Sequence, residues 1–291
     1  MLKISKLKLC ICVFVSISIT AKAEVYLFSH GFADDANQAY NYTPSYMWFG
    51  MEYKNNRHLL YKPVKTFNYP DVIFKKIVNI FKTSFGQDNE INRLHKAFKE
   101  VQAKASKKED DKNIVLFGLS RGASVAANFM AAYNPNQVKA LILESPIDHA
   151  KRIFDHHWFI KLLAKMTFTN TKQIYNFFSK VAQHDENGKH TIDLIGNIKK
   201  DLPILLIGSQ EDQAVPIESI INLYKKLLRS GHKHVYLLKL KAGKHSKLLV
   251  AQDGEKYQNV VHAFYKKYGL PHDADFAQEG KELLEKCQPE Y

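Results

Sequence analysis

Five residues, Gly118-Leu119-Ser120-Arg121-Gly122, restrict the fold of this chain more than any other feature. Ahead of them, Asn113-Ile114-Val115-Leu116-Phe117 is an apolar run of strand length. Behind them, Ala123-Ser124-Val125-Ala126-Ala127-Asn128-Phe129-Met130 is a small-residue stretch suited to a tightly packed helix. A Gly-x-Ser-x-Gly at a strand-to-helix turn is the setting in which a serine serves as nucleophile. Such a turn is sharp enough to hold Ser120 in strained backbone geometry. A Cβ at Gly118 or Gly122 would collide with the adjoining strand and helix. The bare pattern also arises by chance, so its surroundings decide.

Those surroundings alternate. Short apolar runs at Val25–Ser29, Val64–Phe67, Ile114–Phe117, Val138–Leu143, Ile204–Ile207 and Val235–Leu240 read as strands. Between them, helical spacing places Ile91, Leu94, His95, Phe98 and Val101 on one face of 89–105, and Ile217, Ile220, Ile221, Tyr224 and Leu228 on one face of 216–228. A further helix is predicted over 258–268, stopped by Gly269-Leu270-Pro271. This alternation predicts a doubly wound, mostly parallel sheet covered on both faces. Two insertions break the rhythm. One, about 37–63, is rich in Tyr and holds Trp48 and Phe49. The other, about 150–200, carries apolar residues at helical spacing and reads as a small helical cap, its aromatics forming a cap core or the wall of a substrate cleft. The tail, 271–291, is expected to add one short helix around 276–287.

At the N-terminus, Lys3, Lys6 and Lys8 precede an apolar run from Leu9 to Ile19 and then Ala21-Lys22-Ala23. This is the pattern of a secretory signal peptide over 1–23, leaving a domain over 24–270. The run is short for a membrane span, so export to a periplasm or the medium without stable membrane insertion is expected. Of the three cysteines, Cys10 and Cys12 leave with the signal, and Cys287 is expected on the solvent side of the tail. No intrachain disulfide then remains, and one sizeable core has to hold the domain. The formal net charge of +13 is scattered. No basic stripe is interleaved with aromatics, so nucleic acid is not an expected partner.

Serine becomes a nucleophile when a histidine takes its proton and a third group orients that histidine. In parallel sheets such sites assemble at the C-terminal ends of the strands. Of thirteen histidines, His245 follows the strand 235–240 through the loop Lys241-Ala242-Gly243-Lys244 and is the candidate base. His232 and His234 stand before that strand, and with no third ligand they make a poor zinc site. His149 follows another strand without a partner arrangement. His156 and His157 fall in the cap, and His58, His95, His184, His190, His262 and His272 read as surface or helix residues. Asp212, in the acidic loop after 204–207, is the preferred acid. Glu211 and Asp148 are its rivals, and a turn or capping aspartate is the plain structural alternative. Fixed donors for a carbonyl oxygen are expected from the N–H of Arg121 and from that of Phe32, in the Ser29-His30-Gly31-Phe32 loop, with His30 supporting the loop.

His30-Gly31, Gly118-x-Ser120-x-Gly122, Asp212 before Val215-Pro216, and His245 together resemble the α/β-hydrolase superfamily, over about 25–269. The order Ser, Asp, His is that superfamily's. The resemblance implies a doubly wound sheet with a cap after the strand ending at Leu143, shortened here because two initial strands have no room. It implies a serine hydrolase of esters, thioesters or amides, with Ser120, Asp212 and His245 as triad, Phe32 and Arg121 as oxyanion donors, and no cofactor. Arg121 departs from the smaller residue, His or Gln common after the serine, and its side chain either pairs locally or faces the cleft. Esterase action on acyl chains fits the apolar cap. Peptidase action, as in the prolyl-oligopeptidase-like branch, is the alternative, and a secreted non-catalytic binding protein on the same fold is the reading from a different class.

Overall fold

Six runs become six strands, and those over 113–119, 138–144 and 204–209 are buried on both faces. The computed structural model describes residues 24–29, 64–66, 84, 86–104, 113–156, 158–181 and 184–288. Strands β1 (Glu24–Ser29), β2 (Val64–Thr66), β3 (Asn113–Leu119), β4 (Val138–Glu144), β5 (Ile204–Ser209) and β6 (Val235–Leu240) pair in the order β2-β1-β3-β4-β5-β6. Every pairing is parallel. Alternate side chains supply two cores, as the period of a strand requires. Ile114, Leu116, Leu141, Leu143, Ile204 and Leu206 meet α1 (Asp88–Lys104), α2 (Arg121–Tyr133) and α7 (Ile217–Arg229) through Leu94, Phe129, Ile220 and Leu223. Val115, Phe117, Ile142, Leu205, Ile207 and Tyr236 meet α8 (Gly254–Lys267) through Tyr257, Val260, Val261 and Phe264.

Helix α2 sits at the centre. All of residues 121–130 are buried, which is possible only because most of those side chains are small. It ends at Asn134, whose left-handed backbone (φ 42°) lets its N–H close on the Met130 carbonyl. Between β4 and β5 run α3 (Ala150–His156), α4 (Trp158–Met166), α5 (Thr171–Val181) and α6 (Thr191–Leu194), the last continued by a 3-10 turn over Ile195–Asn197. This insertion has a small core of its own, in which Ala150, Phe154, Ala164, Ile174 and Tyr175 are buried. The Phe154 ring meets the Tyr175 ring edge-on at 5.2 Å.

Three details differ from expectation. Helix α8 begins at Gly254 rather than near 258. A Cβ at Gly254 would lie 1.9 Å from the Leu249 carbonyl oxygen, so the helix starts where a glycine permits close approach, a signal that apolar spacing does not carry. The tail forms two short helices, α9 (Ala274–Glu279) and α10 (Lys281–Glu285), opened by Asp273, whose carboxylate accepts from the N–H groups of Asp275 and Phe276. Cys287 is buried, not on the solvent side. Its carbonyl accepts from Leu237 N at 2.8 Å, so the chain end lies along β6 and covers an otherwise open sheet edge. The expectations for 1–23 and for Trp48 and Phe49 lie outside the described residues.

Candidate active site

The turn after β3 carries the strain its sequence requires. Ser120 has φ 55° and ψ −121°, a conformation costly for a non-glycine residue. Its N–H is tied to the Glu144 carbonyl at the end of β4 (2.7 Å), and its own carbonyl accepts from Ala123 N and Ser124 N as α2 begins. A Cβ at Gly118 would stand 2.5 Å from Ala123 Cα and 2.6 Å from the Gly122 carbonyl oxygen, backbone atoms that cannot step aside. The glycine therefore lets helix return over strand, and the buried α2 holds the strained serine in place.

The loops after β3, β5 and β6 bring three predicted residues together. His245 Nε2 lies 2.9 Å from Ser120 Oγ, and His245 Nδ1 lies 2.8 Å from Asp212 Oδ2. With Nδ1–H donating to the carboxylate, the Nε2 lone pair accepts from the serine hydroxyl. Ser120 is only 5% exposed, while the His245 side chain is 24% exposed, so access to the site runs past the imidazole. Burial opposes ionisation of Asp212. The His245 hydrogen bond and charge, with the N–H groups of Val215 and Ala214, outweigh it and hold the carboxyl below its usual range. Asp212 thus also makes the turn that leads into α7, so the plain structural reading and the functional one describe the same side chain.

The rival acids are occupied elsewhere. Glu211 accepts from Gly243 N at 3.0 Å, which helps hold the loop that presents His245. Asp253 accepts from Lys241 N and Ala242 N in the same loop. Asp148 is buried and binds Arg152, Ser219 and Asn222. Arg121 follows Ser120 as the first residue of α2, where the helix ladder makes no use of its N–H. Its side chain is completely buried and pairs with Glu90 of α1 at 3.2 Å, so it faces inward and not into a cleft. Glu90 in turn accepts from Gly86 N. His30 and Phe32 lie outside the described residues.

Two contributors escaped the sequence. Ser145, just past β4 with φ 47°, donates its hydroxyl to Asp212 Oδ2 at 2.9 Å, and its N–H is anchored on the Ile207 carbonyl. Its signal was its place directly after the strand beside the nucleophile's. His156, at the end of α3, lies 3.3 Å from the Asp212 carbonyl and links the insertion to the site. Three of the histidines read as surface or helix residues are buried, His262 within helix α8. His184 Nδ1 lies 3.0 Å from the Ser84 carbonyl and its Nε2 3.0 Å from the Tyr175 hydroxyl, the His190 ring meets that of His149 at 3.6 Å with a 31° tilt, and His262 accepts from Asp273 N. Each joins two segments, a role that helical spacing does not reveal. Among the described residues no group of acidic, His and Cys side chains has metal-site geometry.

Comparison with known proteins meets this geometry. A model of the prolyl oligopeptidase family matches residues 86–269, well over half of the chain. An esterase of Pyrococcus furiosus has a similar structure, with a TM-score of 0.57 at 18% identity over 85% of this chain and 84% of that one. An acylaminoacyl peptidase of Pyrococcus horikoshii gives 0.57 at 16% identity over 88% of this chain and 39% of that one. A puromycin-hydrolyzing peptidase of Mycobacterium tuberculosis gives 0.55 at 11% identity over 85% and 34%. No curated protein sequence matches. At these identities the structures speak for the fold, which is a shortened α/β-hydrolase fold.

Proposed function

The chain belongs to the prolyl oligopeptidase family and is a serine hydrolase, and on that premise we propose that it cleaves carboxylic esters or thioesters through Ser120, His245 and Asp212. The observation that carries the proposal is the continuous hydrogen-bonded line Ser120–His245–Asp212, set at a strained turn. Ser120 Oγ attacks the substrate carbonyl carbon as its proton passes to His245 Nε2. The resulting imidazolium is stabilised by Asp212, itself held by Ser145, Ala214 and Val215. Collapse of the tetrahedral adduct breaks the bond to the leaving oxygen or sulfur, which takes the proton from His245. Water, deprotonated by His245, then releases the acyl group and restores Ser120. The Arg121 N–H is the proposed donor to the carbonyl oxygen from the described residues. The Phe32 N–H, placed after β1, is the proposed second.

Two observations bear on the bond cleaved. The likeness to the Pyrococcus furiosus esterase extends over most of both chains, which supports the ester reading. The family match supports peptide or amide cleavage as the second reading. We further propose export, supported by the signal-like pattern of Met1 to Ala23. Covalent labelling by a fluorophosphonate, read by intact mass, tests the mechanism. Wild type is expected to gain one adduct, and Ser120→Ala and His245→Ala none; a folded wild type that stays unlabelled refutes it. Parallel assays with p-nitrophenyl esters and aminoacyl anilides separate the readings, since turnover of anilides alone would overturn the ester preference. A mature N-terminus at Glu24 is the expected sign of export.

A further inference from the structure

Away from Ser120, the insertion and α7 enclose a groove of about 680 Å³. One wall is Lys151, Arg152 and Asp155 of α3, together with Asp148 and His149. The other is Asn222, Lys225, Lys226 and Arg229 of α7, and Ile192 of α6 lines it as well. Five cations thus face two carboxylates. Both carboxylates are already engaged. Asp148 binds Arg152 Nε at 2.8 and 3.0 Å and also holds Ser219 and Asn222, while Asp155 binds Lys151 and Thr171. Lys225, Lys226 and Arg229 have no acidic partner among the described residues.

The α7 cations are exposed and stand without a carboxylate among the described residues to offset them. Lys225 and Arg229 are four apart on one helix, a like-charge pair that weakens it. The helix dipole favours a cation in the last turn of α7, while the two cations on the facing helix are held by Asp148 and Asp155, so the net positive charge of the groove comes from the α7 wall. The groove is open and is lined by polar and charged side chains, with Ile192 its one apolar member.

We infer that this groove binds a small polyanion, carrying two or more phosphate or carboxylate groups, at a site separate from the catalytic serine. Ligand anions bridge the α3 and α7 cations, and Asn222 and His149 offer neutral polar contacts. Helix α3, about 10 Å long, has its first residues at the groove and its last, His156, against the Asp212 carbonyl.

The test is calorimetric titration of the purified protein with tripolyphosphate and, separately, citrate at constant ionic strength. One-to-one saturable binding of either anion is expected. In Lys225→Ala/Arg229→Ala it should weaken about tenfold or more, since each lost charged hydrogen bond is costly. In Lys165→Ala/Lys180→Ala, which removes equal charge from the insertion outside the groove, it should be unchanged. An unaltered fluorophosphonate labelling rate in both variants confirms that they are folded. Absence of saturable binding by both anions overturns the inference. So does equal weakening in the two variants, which would mark attraction to overall charge.

Discussion

The turn at Ser120 and the helical insertion of 150–197 were both visible as departures in the sequence, yet they are built in opposite ways. Around Ser120 the chain is locked. Ten consecutive residues of α2 are buried, Gly118 leaves no room for a Cβ, and the loops after β3 and β4 are each tied to the neighbouring strand. The insertion has five buried apolar residues of its own and leaves Leu162, Met166, Phe168 and Phe177 exposed, Phe168 by 99%. The difference lies in packing rather than in strain, since the exposed Phe168 of the insertion also has a positive φ (54°). At Ser120 that conformation is held by buried neighbours, whereas an element with few buried contacts opens at low free energy. The proposed nucleophile therefore sits in the first region.

The sharpest way to break this comparison is Asp212→Asn. The amide keeps an oxygen for Ala214 and Val215 but turns an N–H₂ toward His245, so kcat should fall about 10⁴-fold while the melting temperature barely moves. A large loss of stability would mean that the carboxylate is chiefly structural. Next is Gly118→Ala, whose Cβ meets backbone on two sides. Denaturant unfolding should show a loss of about 3 kcal/mol or more. Phe129→Ala, emptying the core beside Phe98, should cost about 3–5 kcal/mol and lower global stability. Smaller effects belong to the insertion. Burial, foremost, holds the His149 and His184 imidazoles below the usual 6.5, so the unfolded chain takes up these protons first. Stability should accordingly fall as the pH drops below about 6.5, and melting curves for His184→Gln should show a shallower fall. Asp212 acts with the same sign but only in more acid solution, because its carboxyl is held below the ordinary 3.8. Last, Phe168→Ser should shift stability by no more than about 0.5 kcal/mol. A larger loss would show the two regions to be less different than their burial indicates.

What sequence alone determined here is what local chemistry and periodicity encode. Doubly buried strands must be apolar throughout, so β3 to β6 stood out as strands, while their order in the sheet came from the structure. A strand-to-helix turn needs glycine against its backbone, so Gly118 and Ser120 were marked, and strand ends nominated Asp212 and His245. Tertiary structure alone decided everything that depends on which ends meet. Ser145 reaches Asp212 from an adjacent strand, Arg121 turns inward because Glu90 waits on α1, and Glu211 and Asp148 are drawn away to other partners. Cys287 is buried because β6 has an edge to cover, and His184 is buried because Ser84, a hundred residues away, needs a donor. Such contacts join residues with no shared period or spacing, so their energies exist only once the chain has closed upon itself.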